Sequence, residues 1–169
     1  YEANITLFDL LSRTDYDKKG NYKIKRFLAA HAIMFSLEGI PGIYFNSLFG
    51  TSNDISKFKI SKKNRDLNRY KWDLFNLQKK LEKKNSKESI VFSEIMRLLK
   101  IRKNQEAFHP NATQYTLDLG KKIYGLWRQS KDKRQSIFSV TNITSESVEF
   151  NLNKLNLIKN ETWRDLINP

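Results

Sequence analysis

The chain contains no cysteine and only 2 histidines among its 169 residues. The first absence excludes a disulfide framework and cysteine-ligated zinc, and the second leaves too few imidazoles for a protein-ligated transition-metal site. Long hydrophobic runs are missing too. The longest apolar stretch, Phe27 to Leu37, is shorter than the roughly 20 residues that cross a bilayer, and Glu38, Gly39 and Pro41 close it. No membrane partner and no metal are expected. The first residue is not methionine, and "YEANITLFDLL" sets a tyrosine, an acid and an amide ahead of an apolar helix start. Further sequence is therefore expected to precede Tyr1.

What the chain has in excess is positive charge, with 31 Lys and Arg against 18 Asp and Glu, a formal +13. Such a balance ordinarily raises nucleic acid as a partner, because clustered cations release phosphate counterions. Here the lysines are spread over loops and helix faces, densest in "KKLEKKNSKE" at 79–88, and they accompany many Asn and Ile residues. That bias is what an A+T-rich coding sequence imposes. A solvated charged face is the expected reading, with no nucleic-acid partner. Hydrophobic residues at 39% and charged residues at 29% suit a packed core.

Hydrophobic periodicity predicts a helix over 23–38, where Ile24, Phe27, Leu28 and Phe35 recur at helical spacing, with Asn21 as its cap and Gly39 with Pro41 as its stop. "GIYFN" at 42–46 is short, β-branched and aromatic, and reads as a buried strand of a parallel sheet. Residues 47–71 lack a sustained period and read as a long loop, a length that is usually functional or disordered. Two further helices are expected over 72–81 and 88–107, the second capped by Ser86 and ended by Pro110. After 110 the period becomes 2. "QYTLDL", "KIYGLWRQ", "QSIFSVTN" and "SVEFNL" alternate apolar with polar residues between turn-like segments, which predicts four antiparallel strands.

"EGIPGIYFN" at 38–46 and "VFSEIMRLLKIRKNQEAFHPNATQ" at 91–114, in this order and followed by an antiparallel module, resemble the C-terminal part of the α-amylase superfamily. There a G-I-P-x-x-Y-[FY] segment is the eighth strand of a (β/α)8 barrel, and a β-sandwich domain closes the chain. The fold class implied is α/β plus all-β: residues 1–110 as the C-terminal part of a TIM barrel and 111–169 as an antiparallel β domain. "YEANITLFDLL", "FGTSND" and "NRDLNRYKWD" are most similar to the sucrose phosphorylase group, which includes glucosylglycerate phosphorylases. The resemblance implies the C-terminal fragment of a cytoplasmic, retaining glycoside phosphorylase that converts an α-glucoside plus phosphate to α-glucose 1-phosphate. It implies no cofactor, inorganic phosphate being a co-substrate.

The family's three catalytic carboxylates follow its fourth, fifth and seventh strands. None of Asp9, Asp15, Asp17, Glu38, Asp54 or Asp66 matches those motifs, so these acids are expected to be surface or capping groups, and the fragment to be inactive alone. Substrate-binding residues carry over by resemblance. Tyr1 takes the place of a tyrosine lining the acceptor subsite, with Glu2 and Asn4 beside it. Arg65 and Arg69 meet the family's R-x-x-x-R pattern, and Arg65 matches the arginine that grips glucosyl hydroxyls in the donor pocket. A planar guanidinium fork suits that task better than lysine does. The alternative readings are a hydrolase or transglucosylase of the same superfamily and, further off, a basic nucleic-acid-binding module. His31 and His109 are expected to be structural, and Trp127 and Trp163 to belong to the core of the β module.

Overall fold

A computed structural model describes residues 3–151, 155 and 162–168. Contacts divide the chain into two units, Tyr1–His31 with Gly42–Arg97 and Ala32–Pro41 with Leu98–Pro169.

The first unit is helical. A short helix α1 (Leu7–Leu10) is capped by Thr6, whose hydroxyl accepts from the Asp9 amide. Helix α2 (Lys23–Ser36) begins differently from expectation. Its cap is not Asn21, because the two oxygens of Asp17 accept from the Asn21 and Tyr22 amides at 2.9 Å each. A carboxylate there also complements the positive end of the helix dipole, which a neutral Asn cannot do. Phe27 on α2 is fully buried and meets the Phe8 ring edge-on at 5.3 Å. His31 lies one turn on, also buried, with its Nδ1 2.9 Å from the Phe27 carbonyl.

Helix α5 (Lys87–Lys103) contributes the fully buried Val91 and Ile95, and Ser86 caps it by accepting from the Ser89 amide at 3.0 Å. Gly50 sits at φ +55°, where a Cβ would come within 3.0 Å of Phe8 and 3.2 Å of Val91. Only glycine satisfies both the backbone and the space.

"GIYFN" does not form the expected strand. The chain has no regular structure up to Tyr44 and then makes a 3-10 turn over Phe45–Phe49, with Tyr44 57% and Phe45 55% exposed. A parallel strand needs a neighbour to take its backbone groups, and the only sheet among the described residues is antiparallel and lies in the second unit. Local bonds take its place, with the Ser47 amide closing on the Tyr44 carbonyl at 2.8 Å and the Thr51 amide on the Asn46 carbonyl at 3.1 Å.

Residues 47–71 are not a structureless loop either. They contain helix α3 (Ile55–Ser61) and a 3-10 turn, Asn64–Asp66. Asp54 caps α3 through the Lys57 amide at 2.9 Å, and the Lys57 ammonium returns to Asp66 at 2.9 Å. A capped start and a side-chain tie compensate for a weak hydrophobic period. Helix α4 (Leu74–Glu82) follows, capped by Asp73.

The second unit holds a meander of β1 (Thr113–Leu117), β2 (Ile123–Gln129) and β3 (Ser136–Asn142), antiparallel in the order β1-β2-β3. Tyr115, Trp127 and Phe138 are directly paired across the strands, with ring centroids 4.9 and 5.8 Å apart, and Trp163 extends the row at 4.9 Å from Phe138. Such cross-strand aromatic pairs stabilise a sheet face. The expected fourth strand is absent over 147–151, and Leu152 lies outside the described residues. A turn held by side chains, with the Asn142 amide donating to the Glu146 carbonyl at 2.7 Å, ends the ladder instead.

Two buried arginines organise the rest of this unit. Arg102 donates to the carbonyls of Phe35, Leu37 and Gly39, and Arg128, fully buried, donates to those of Ser36, His109 and Ala112. Both stack on the Phe108 ring, 5.5 and 5.8 Å from its centroid. The carbonyls at a helix C-terminus are short of donors and carry partial negative charge, so they receive these cations in place of carboxylates. His109 thus serves structurally through its carbonyl.

Candidate functional site

The site is built in the first unit where the 44–46 corner meets the 66–71 segment. The Asn46 amide nitrogen donates to the Tyr70 carbonyl at 3.0 Å, and the Tyr44 hydroxyl donates to the Asn68 carbonyl at 3.4 Å. Beneath them Trp72 donates its indole N–H to the Thr51 hydroxyl at 3.0 Å. These bonds hold the 66–71 segment over the corner.

An enclosed cavity of about 50 Å³ lies here, lined by Ile5, Thr6, Tyr44, Asn46, Thr51 and Asn68 among others. It has room for a few water-sized groups. The side-chain oxygens of Asn46 and Asn68 are buried without a donor among the described residues. The Asn46 orientation is fixed, since reversing the amide would set its oxygen against the Tyr70 carbonyl. Sharing Tyr44 and Asn68 with this cavity is an open concavity of about 580 Å³ lined also by Arg69, Tyr70 and Lys71. That volume falls in the range of small-ligand sites. Two cations, two tyrosines and an asparagine suit a hydroxylated or anionic ligand.

The sequence-predicted residues are distributed as follows. Arg69 is exposed on the rim of the open concavity. Arg65 is exposed within the 3-10 turn Asn64–Asp66 and lines neither space. Asn4 is half-buried, directly before the Ile5 and Thr6 that line the enclosed cavity. Tyr1 and Glu2 lie outside the described residues. Asp66, next to Arg65, is held below the usual carboxylate range by the Ser61 hydroxyl and then by Lys57. Among the described residues no group of three or more Asp, Glu or His side chains converges as a metal site, and no helix is long and apolar enough to cross a membrane.

Sequence reasoning missed Asn46 and Asn53 as residues that fasten these segments, while Asp54, expected to be a surface or capping acid, caps α3. Thr6-x-x-Asp9 has the form of a capping box, in which the acid would return to the Thr6 amide. Asn53 is interposed instead. The Thr6 amide donates to Asn53 Oδ1 at 2.7 Å, and the Asn53 amide donates to Asp9 Oδ2 at 2.8 Å. No local pattern announces a partner 44 positions away.

No family model matches the chain. Its sequence is 43% identical over 117 residues to the glucosylglycerate phosphorylase of Allomeiothermus silvanus, covering 69% of this chain and 21% of that protein. The glucosylglycerate phosphorylase of Escherichia coli is 33% identical over 118 residues, 70% of this chain and 21% of that one. The crystal structure of sucrose 6F-phosphate phosphorylase from Thermoanaerobacter thermosaccharolyticum is similar with a TM-score of 0.57 at 31% identity, covering 73% of this chain and 24% of that one. The chain is homologous to the glucosylglycerate and sucrose phosphorylases of the α-amylase superfamily, and corresponds to a portion of them. It spans 21% to 24% of the length of these relatives.

Proposed function

We propose that this chain is the C-terminal portion of a retaining glycoside phosphorylase acting on an α-glucoside such as glucosylglycerate or sucrose. Residues 1–110 belong to the last part of its catalytic (β/α)8 barrel and 111–169 to its antiparallel β domain. The observation that carries the reading is the 43% identity to a glucosylglycerate phosphorylase over 117 residues.

In such a reaction a carboxylate from the rest of the enzyme attacks the anomeric carbon while a second protonates the leaving oxygen. Phosphate then takes the place of water as acceptor and releases α-glucose 1-phosphate. This chain's part is binding. Arg65 grips hydroxyls of the glucosyl unit, Tyr1, Glu2 and Asn4 line the acceptor side, and Arg69 supports the loop and faces the anion. Preferring an anion over abundant water requires fixed cations and donors, which the rim of Arg69 and Lys71 supplies. A cytoplasmic location is consistent with phosphate as co-substrate.

A chimera tests this, with the matched 117 residues of the Allomeiothermus silvanus enzyme replaced by those of this chain. Incubated with glucosylglycerate, it is expected to form glucose 1-phosphate only when phosphate is present. Equal release of free glucose with and without phosphate would instead establish the hydrolase reading.

A further inference from the structure

The residue interposed in the capping box adjoins the residue that holds the Arg65 loop. Asn53 is bonded twice to the α1 segment, through its side-chain oxygen to the Thr6 amide and through its own amide to Asp9. Asp54, the next residue, donates its amide to the Leu67 carbonyl at 2.7 Å, two positions beyond Arg65. Its carboxylate caps α3, whose Lys57 returns to Asp66, the neighbour of Arg65. No residue intervenes between the two grips. A second tie runs in parallel, as Lys87 reaches Ser52 Oγ at 3.4 Å and lies over the Phe8 ring of α1 at 4.6 Å.

We infer that Asn53 is a positioning residue that couples the segment carrying Asn4 to the loop carrying Arg65, so that the acceptor and donor sides of the proposed site move as one body. The inference rests on the proposed phosphorylase reading for its functional meaning, but the coupling itself rests on geometry alone. Its logic lies in the interrupted cap. Without the Asn53 side chain, the Asp9 carboxylate can turn back to the Thr6 amide and close an ordinary capping box. α1 therefore keeps its cap while the links through Asn53 are lost and the Lys87 tie alone remains. The Arg65 loop keeps its hold on Asp54 and Lys57, so the loss falls on the acceptor side.

Asn53→Leu in the chimera, assayed in the direction of synthesis from glucose 1-phosphate and glycerate, is expected to raise KM for glycerate about tenfold, the upper end of one neutral hydrogen bond. KM for glucose 1-phosphate should stay within about twofold, because its side retains both ties. Asp9→Asn, which keeps an acceptor oxygen for the Asn53 amide, should leave both values near those of the parent chimera. An equal rise in both, or in neither, overturns the inference while a phosphorolytic parent leaves the proposed function standing. Should the parent show no phosphorolysis, the proposed function falls and the coupling is decided by hydrogen exchange on the 169-residue chain itself. There Asn53→Leu is expected to speed exchange of the amide at position 53 at least about tenfold, since Asp9 leaves it for the Thr6 amide, and to leave α2 and α5 unchanged. Unaltered exchange at position 53, or a uniform rise throughout, refutes the coupling.

Discussion

Asp17 shows how much a single carboxylate can do at a helix start. It takes two backbone amides and the Arg26 guanidinium at 2.9 Å, and the Tyr22 amide bond is the largest cause of its pKa falling from 3.8 to about 2. A carboxyl lowered in the folded state contributes stability that is complete above the unfolded pKa and is lost as pH falls through the folded one. The urea midpoint of the chain should therefore drop from pH 3.8 towards pH 2, and Asp17→Asn should flatten that part of the curve. His31 works the other way round for a base. Burial pushes its pKa below 6.5, so the folded state favours the neutral ring and stability declines as pH falls below that value. His31→Gln should remove this component from the same titration, and an unchanged profile would show that the ring does not titrate with unfolding.

At the scale of elements, stability depends on ends and crossings more than on helix propensity. Ser86→Ala removes the oxygen that accepts from the Ser89 amide and should cost about 1 kcal/mol in chemical denaturation. Arg128→Met should cost more, about 3 kcal/mol, because it takes the guanidinium from the carbonyls of Ser36 and Ala112 in a buried setting and leaves that of His109 with the Ala112 amide alone. The legible parts of the fold were those whose information is local. The periodicity of α2, α4 and α5, the Ser86 cap and the alternation of β1 to β3 all depend on neighbours in sequence. The parts that escaped depend on distant partners. "GIYFN" has strand composition, yet a parallel strand exists only beside another strand. α3 is set by a cap and by the pairing of Lys57 with Asp66 rather than by an apolar stripe. The R-x-x-x-R motif marks Arg65 and Arg69, of which Arg69 lines the open concavity and Arg65 does not, whereas Asn46, Asn53 and the Asp54 amide act through bonds spanning 13 to 47 positions that no spacing rule encodes.

For the whole molecule, several large apolar side chains stand in solvent. Ile40 is 86% exposed, Ile60 85%, Leu74 70% and Phe75 62%. Apolar side chains of this size remain wet only at a cost of about 1.5 to 3 kcal/mol each relative to burial. The isolated 169-residue chain should therefore self-associate with rising concentration, as sedimentation velocity would detect, whereas the chimera, which supplies the rest of a phosphorylase, should sediment as a single species. A strictly monomeric isolated chain at every concentration would contradict this. On the proposed function, Arg65 grips the glucosyl unit in the donor pocket of a phosphorylase. The most direct test of that role is kcat/KM for phosphorolysis of glucosylglycerate by the Arg65→Lys chimera, with circular dichroism to establish that the variant is folded. A fall on the order of a hundredfold is expected, the scale of lost charged hydrogen bonds. A folded variant with undiminished kcat/KM would contradict that role.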